Sequence, residues 1–119
     1  MKQARSFRYA FRGLIYMGKD HNTLVHFPAA VIVIFFAWYF EVTRNEWLWL
    51  ILAISIMWIS ETFNTAIEKL TDLVSPDFHP LAGKVKDISA AGVLLGLFFA
   101  AIIGFTVFFP YIQLLILNK

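Results

Sequence analysis

The sequence predicts an all-α membrane protein, with an amphipathic helix at its N-terminus followed by three transmembrane helices. Hydrophobic residues make up 60% of the 119-residue chain and charged residues only 15%, whereas a soluble domain carries about 25% charged residues. Most of the charges lie between long apolar runs. The chain has no cysteine and so forms neither disulfides nor thiolate metal sites. We therefore expect a single integral-membrane domain over residues 1–119.

The first 19 residues predict an amphipathic helix. Apolar and basic side chains each recur there at helical spacing, namely Phe7, Phe11 and Leu14 against Arg5, Arg8 and Arg12. A basic helix with an apolar stripe typically lies in the plane of the lipid headgroups. The first long apolar run begins only near Leu24, so we interpret the segment as retained and not as a cleaved export signal.

Three later segments have the length and composition of membrane helices. A helix needs about 20 apolar residues to cross the hydrocarbon core. The predicted helices cover residues 24–40, 47–73 and 88–117. A polar turn at 41–46 and a polar connector at 75–87 separate them.

The third segment carries small residues at every fourth position: Gly92, Gly96, Ala100 and Gly104. Small residues at this spacing lie on one narrow face and allow two helices to approach closely in lipid. Pro110 is expected to kink or end the regular part of this helix.

The distribution of lysine and arginine predicts the orientation. Basic residues are concentrated before the first span and around the second connector, at Lys2, Arg5, Arg8, Arg12, Lys19, Lys69, Lys84 and Lys86. The turn between the first two spans has only Arg44. The positive-inside rule then places the N-terminus in the cytoplasm and the C-terminus outside. We expect a multi-pass protein of the inner (cytoplasmic) membrane.

A polar stripe follows the second span at Glu61, Asn64, Glu68 and Asp72. This spacing places the four side chains within roughly 80° on one helix face. Counted from Trp47, Glu61 lies about 21 Å along the helix, which leaves it roughly 10 Å inside a 30 Å hydrocarbon core. A charge at such depth costs at least about 2.5 kcal/mol, which favours a function or a paired partner.

These acids and the nearby charges have the chemistry of phosphoryl transfer. That reaction needs carboxylates for Mg²⁺, a cation for the phosphates and a group that orients the attacking hydroxyl. Mg²⁺ typically takes one or two carboxylates plus substrate phosphates. Further charged residues come from the connector and the first cytoplasmic segment: Lys84, Lys86, Asp87 and Asp20.

Structural interpretations remain open for several of these residues. Asp72 is also typical of a helix end, and Asp87 of the N-cap of the third helix. His26 lies at the membrane edge, where an interfacial hydrogen-bonding role is favoured over metal ligation.

Two blocks together resemble the prokaryotic diacylglycerol kinase family, which also includes undecaprenol kinases. The first reads Glu61-Thr-Phe-Asn64-Thr-Ala-Ile-Glu68, followed by Asp72. The second reads His79-Pro-Leu-Ala-Gly83-Lys-Val-Lys86-Asp87-Ile-Ser-Ala-Ala-Gly92. The resemblance extends over nearly the whole chain, including the amphipathic start and the three spans.

The resemblance implies a role for each matching residue. Glu61 matches the catalytic acid/base, and Asn64 a polar residue of the reaction centre. The matches to ATP-binding positions are Tyr9, Asp20, Glu68, Asp77, His79, Lys86 and Asp87. Of these, Asp20 and Glu68 match the ligands of Mg²⁺. The family is trimeric, so the resemblance implies a homotrimer whose active sites are shared between subunits.

The N-terminal part departs from the family pattern. Members usually carry Glu-x-Asn-x-x-x-His before the first span, and this chain reads Asp20-His21-Asn22-Thr-Leu-Val-His26. Aspartate also binds Mg²⁺ but is one methylene shorter. The stretch from Gly13 to Asp20 is also one residue shorter than usual, which affects the match at Tyr9.

The resemblance implies an ATP-dependent kinase of a membrane lipid alcohol, with diacylglycerol converted to phosphatidic acid as the first expectation. Undecaprenol, converted to undecaprenyl phosphate, is the alternative acceptor. A non-catalytic membrane assembly protein would not need the whole set of polar residues. A small multidrug transporter generally has four spans, with its acid in the first. We expect ATP and the lipid as partners, and no nucleic acid.

Overall fold

The structure, a computed structural model, describes residues 2–118, and all side chains in that range except those of residues 21 and 22. The end residues of the predicted domain, 1 and 119, lie outside this part. The helices in the described part are α1 (Lys2–Lys19), α2 (His21–Tyr39), α3 (Arg44–Val74) and α4 (Pro80–Leu117). Residues 2–118 contain no strand, and the all-α prediction is confirmed.

Among the helices of residues 2–118, two are individually long and apolar enough to cross a membrane, α3 and α4. Helices α1 and α2 meet at an angle of 90°. Taken together as one bent segment, they give a third candidate span. A right angle is expected where a helix in the headgroup plane meets one that crosses the bilayer. The apolar side chains of the α1 stripe, Phe7, Phe11 and Leu14, are exposed, as a lipid-facing surface requires.

The turn between α2 and α3 is fixed by local hydrogen bonds. Thr43 caps α3, because its hydroxyl accepts a bond from the Glu46 amide and the Glu46 carboxylate accepts one from the Thr43 amide. This reciprocal capping box satisfies two helix-end amides. Glu41 has a positive φ of 52° and reverses the chain direction. We refer to this side of the molecule, residues 40–43, as the turn end.

The connector between α3 and α4 is shorter than predicted. It covers residues 75–79 and not 75–87, because α4 begins at Pro80. The side chain of His79 caps this helix by accepting a bond of 3.1 Å from the Leu81 amide, and proline suits the first helical position. Asp87 is therefore not the N-cap. The helix also continues through Pro110 to Leu117, so that proline does not end it.

The largest helix–helix contact joins α3 to α4, and α2 packs against α3. A small apolar core lies towards the turn end, formed by Ala37, Val42, Leu50 and Val107. Phe40 stacks on Tyr111 with ring centroids 5.6 Å apart, and the Tyr111 hydroxyl donates to the Glu46 carboxylate. These contacts fix the helices relative to one another at the turn end.

The predicted ridge of small residues makes one close helix approach within the described chain. A Cβ added to Gly96 would lie 2.8 Å from Ser60 Oγ and 3.3 Å from Ile56 Cγ2 of α3. A Cβ at Gly92 or Gly104 would meet no described side chain within 4 Å. Of these three glycines, Gly96 is thus the one where packing within one chain requires a small residue.

Candidate active site

The polar stripe of α3 passes from the packed interior to the surface as the helix approaches the connector. Glu61 and Asn64 are buried, with exposed fractions of 3% and 7%. Glu68 is half-buried and Asp72 is exposed. The stripe therefore joins a sheltered group inside the helix packing to an open surface beside residues 75–79.

Both carboxylate oxygens of Glu61 have partners. His26 Nε2 of α2 lies 3.2 Å from Oε2, and the Thr65 hydroxyl donates to Oε1 over 3.4 Å. The sequence showed no basic residue near Glu61 along the chain, and it missed His26 because this partner comes from another helix. Thr65, one helical turn after Glu61, could have been found from its i+4 spacing.

Asn64 connects α4 to the stripe. Its Oδ1 accepts a bond of 2.7 Å from the Ser89 hydroxyl of α4, and its Nδ2 donates to Glu68 Oε1 over 3.2 Å. The sequence interpretation gave Ser89 no role. This bond engages one oxygen of the Glu68 carboxylate, and the second oxygen of that side chain can accept a further ligand.

Lys86 pairs with the last acid of the stripe. Its Nζ lies 2.5 Å from Asp72 Oδ1, and the Lys86 and Asp72 side chains are 41% and 63% exposed. The first turns of α4 thus bring a cation beside the acidic face of α3. An exposed pair of this kind contributes about 0–1 kcal/mol, so water and other anions can compete for it.

Asp20, at the junction of α1 and α2, also approaches α3. Its Oδ2 lies 3.8 Å from Nζ of Lys69, the residue after Glu68. In residues 2–118, apart from the side chains at 21 and 22, no three His, Asp or Glu groups are close enough to hold a metal ion. Two carboxylates with substrate phosphates suffice for Mg²⁺. Asp20 and Glu68 each carry carboxylate oxygens, the kind of ligand that Mg²⁺ takes.

The other residues matched to nucleotide binding lie at the surface. Tyr9 is 61% exposed, and Arg12 lies 6.0 Å from its ring centroid. The Asp77 carbonyl accepts a bond from the Ser75 hydroxyl, and His79 caps α4. Asp87 is exposed one residue after Lys86. The predicted residues of the first cytoplasmic motif include His21 and Asn22, whose side chains lie outside the described part.

An apolar cavity is bordered by His26, the residue that contacts the buried Glu61 carboxylate. It has a volume of about 260 Å³ and lies between α2, α3 and α4. His26 borders it, as do small residues such as Ala30, Ala53 and Ala101. His26 also borders a second cavity, which contains Glu61 and Asn64. The histidine thus stands where an apolar space meets the polar stripe.

Comparison with known proteins shows to which family the sequence belongs. The sequence model of the family described as "Prokaryotic diacylglycerol kinase" matches residues 8–108, which include α2, α3 and most of α4. The chain belongs to this family. It is therefore a member of a family of membrane lipid kinases.

Relatives of known function include two kinds of lipid kinase. An undecaprenol kinase of Bacillus subtilis is 35% identical over 107 residues, which cover 89% of this chain and 87% of that protein. A diacylglycerol kinase of Helicobacter pylori is 39% identical over 74 residues, covering 62% of this chain and 58% of that protein. A diacylglycerol kinase of Synechocystis is 35% identical over 107 residues, covering 88% of this chain and 61% of that protein. The chain thus matches somewhat less than two thirds of the length of these two diacylglycerol kinases.

Proposed function

We propose that this member of the prokaryotic diacylglycerol kinase family is an ATP-dependent kinase of a membrane lipid alcohol. Diacylglycerol, converted to phosphatidic acid, is the first candidate acceptor. The observation that carries the proposal is the buried Glu61 carboxylate of a membrane helix, with His26 Nε2 3.2 Å from one oxygen and the Thr65 hydroxyl bonded to the other. An acid at such a position is costly unless a function or a partner retains it.

In the proposed reaction, Glu61 accepts the proton of the lipid hydroxyl. The hydroxyl oxygen then forms a bond to the γ-phosphorus of ATP, and the bond between that phosphorus and the bridging oxygen of ADP breaks. Asn64 lies one helical turn from Glu61 and is held by Ser89, so it can support the reaction centre. Positioning and charge stabilisation account for most catalysis of phosphoryl transfer.

The proposed nucleotide site is on the exposed side of the stripe. Lys86 supplies a cation for the phosphates, and its present partner Asp72 is exposed enough to be exchanged for one. Asp20 and Glu68 are the proposed ligands of Mg²⁺, which when bound would neutralise phosphate charge. The remaining proposed contacts of ATP are Tyr9, Asp77, His79 and Asp87.

The apolar cavity supports a lipid as acceptor. The apolar lining resembles membrane hydrocarbon in polarity, so a lipid chain can enter the cavity without exposing apolar surface to water. Because His26 borders both the apolar cavity and the cavity of Glu61, a chain in the first could place its hydroxyl in the second.

We further propose that the protein works as a homotrimer in the inner membrane, with a cytoplasmic N-terminus and an external C-terminus. In the described part of one chain, neither Tyr9 nor Asp87 has a hydrogen bond or ion pair to Glu61, Asn64 or Glu68. A neighbouring subunit would supply such residues in a shared active site. The orientation places the proposed nucleotide site in the cytoplasm, where ATP is present.

Undecaprenol is the second candidate acceptor. The alignment with the Bacillus subtilis undecaprenol kinase covers most of both chains, whereas those with the two diacylglycerol kinases cover 58% and 61% of the relatives. Both lipids present one hydroxyl at the headgroup level, so the proposed chemistry at Glu61 is the same.

The test is transfer of radiolabelled phosphate from ATP to each lipid in mixed micelles, with wild type and Glu61→Gln. The substitution keeps shape and polarity and removes the base. General base catalysis contributes typically 10²–10⁴-fold, so turnover should fall by that factor. Glu41→Gln, at the turn end, is the matched control and should keep its rate. A near-normal rate for Glu61→Gln in an assembled protein would reject Glu61 as the base.

A further inference from the structure

His26 and Glu61 form a pair between two helices. His26 Nε2 of α2 lies 3.2 Å from Glu61 Oε2 of α3, with side chains 27% and 5% exposed. An ionised carboxylate in apolar surroundings is stable only when it is paired or hydrogen-bonded. The sequence indicated an interfacial hydrogen-bonding role for His26, and the structure gives it a specific partner, Glu61.

The two partners of Glu61 hold different oxygens from different helices. Thr65 lies on the same helix and donates to Oε1 over 3.4 Å, which is long for a hydrogen bond between oxygens. His26 contacts Oε2 from α2, so the two oxygens have partners on two different helices. Each carboxylate oxygen has two acceptor positions, so the Thr65 bond and the His26 contact leave room for a lipid hydroxyl.

Few other polar groups near Glu61 could take the place of His26 as a partner of its carboxylate. The other described residues that border its cavity are Val25, Asn64, Ala90 and Val93. Asn64 is engaged with Ser89 and Glu68, and the two residues from α4 are apolar. Within this described lining, His26 is the only residue besides Glu61 that can carry a charge.

We propose that His26 is a positioning residue for the reaction assigned to Glu61 above, and this inference rests on that proposed function. An ionised carboxylate is only an acceptor, so His26 donates its Nε2–H to Oε2 and directs the free acceptor positions towards the lipid hydroxyl. The proton of that hydroxyl moves to Glu61, while His26 keeps its own proton throughout. His26 acts through Glu61 and does not touch the substrate's reacting atoms in this scheme.

The first experiment compares three substitutions at position 26 for kcat and for KM of ATP and lipid. His26→Gln places an amide N–H donor near the position of Nε2. In His26→Asn the amide donor lies closer to the backbone, and His26→Leu has no side-chain donor. A hydrogen bond to a charged group contributes about 1.5–3 kcal/mol, or roughly 10- to 150-fold. We expect the Asn and Leu variants to lose kcat by at least about tenfold. The Gln variant should stay within about threefold of wild type, and KM for ATP within about twofold, since this bond does not touch the nucleotide.

A double-mutant cycle separates positioning from simple helix packing. If His26 acts through Glu61, His26→Leu should cause no further loss of rate in a Glu61→Gln background. A purely structural role predicts that the two losses add, and equal rates for the Gln, Asn and Leu variants would also overturn the proposal. If the Leu variant does not assemble in detergent, the comparison of His26→Gln with His26→Asn tests the proposal instead.

The assay also separates failure of the proposed function from failure of this inference. A wild type that transfers phosphate to neither lipid rejects the proposed function. An active wild type whose rate is matched by His26→Leu rejects this inference alone.

Discussion

Ser89 and Asn64 join α4 to α3 through a hydrogen bond of 2.7 Å between the serine hydroxyl and the amide oxygen. Because this bond engages the oxygen of the amide, the nitrogen faces Glu68 and donates to its carboxylate over 3.2 Å. A side chain on one helix therefore sets the direction of two polar groups on another. Ser89 links the buried part of the stripe to its half-exposed part.

Removing this link should lower activity without unfolding the protein. Ser89→Ala deletes the donor to Asn64, and a typical hydrogen bond contributes about 1 kcal/mol, or about fivefold. We expect kcat to fall by about that factor in the lipid phosphorylation assay. Ser55→Ala is a matched control, because the Ser55 hydroxyl bonds only the Ile51 carbonyl of its own helix. Equal rates for Ser89→Ala and Ser55→Ala would contradict a role for the link.

Glu68→Gln should raise the magnesium requirement. The variant keeps an oxygen that accepts the bond from Asn64, but it loses the charge that a hard cation prefers. We expect the Mg²⁺ concentration for half-maximal rate to rise by at least about tenfold, as is typical when a metal site is disturbed. The measurement is initial rate against Mg²⁺ at fixed ATP. A folded variant with wild-type magnesium dependence removes Glu68 from the proposed site.

The pair of Lys86 and Asp72 predicts opposite effects for its two members. Lys86→Met removes the proposed phosphate contact, so KM for ATP should rise. Asp72→Asn removes a competitor for Lys86, and since an exposed pair is worth about 0–1 kcal/mol, KM for ATP should fall by up to about fivefold. Steady-state kinetics at low ionic strength measures both changes. If both variants raise KM for ATP to the same extent, Asp72 is itself part of the nucleotide site.

The helices themselves were predictable, because apolar runs of membrane length are read directly from the sequence. The first turns of α4 were not, since residues 80–87 contain two lysines and an aspartate and were interpreted as a polar connector. A helix that extends beyond the apolar run carries no hydropathy signal there. The signal that was available is local: a residue able to cap a helix, His79, directly before Pro80.

The residues of the candidate site also fall into two groups, those that the sequence predicted and those that it did not. Periodicity alone placed Glu61, Asn64 and Glu68 on one face of a helix, because these residues share a backbone of known geometry. Their partners His26 and Ser89 lie on other helices. The rotation of each helix about its axis decides those contacts, and that rotation is set by packing between helices, which a single sequence pattern does not contain.

The proposed orientation can be tested with reporter fusions. The excess of lysine and arginine before α2 and around the connector predicts that residue 119 lies outside the cell and residues 75–79 inside. A periplasmic reporter fused after residue 119 should be active, and the same reporter fused after residue 76 should be inactive. Activity in the reverse pattern would overturn the orientation and place the proposed nucleotide site away from ATP.

The close approach of α4 to α3 at Gly96 leads to a prediction about stability. An added Cβ at this position would lie 2.8 Å from Ser60 Oγ, and Ser60 is itself bonded to the Ile56 carbonyl. Gly96→Leu therefore requires the Ser60 and Ile56 side chains to shift or the helices to separate. Overpacking of this kind costs about 1–3 kcal/mol, which should lower the midpoint of thermal unfolding in detergent.

Gly92→Leu is the matched control for Gly96→Leu, since an added Cβ there meets no described side chain within 4 Å. Gly92 lies on the same face of α4 as Gly96, so both variants share any general effect of placing leucine on that face. If only Gly96→Leu lowers the unfolding midpoint, the small residue is needed for packing inside one chain. If both variants do so and the oligomer dissociates, the ridge also packs between subunits, as the proposed trimer would require. A Gly96→Leu protein as stable and active as wild type would show that α3 and α4 do not approach as closely as described.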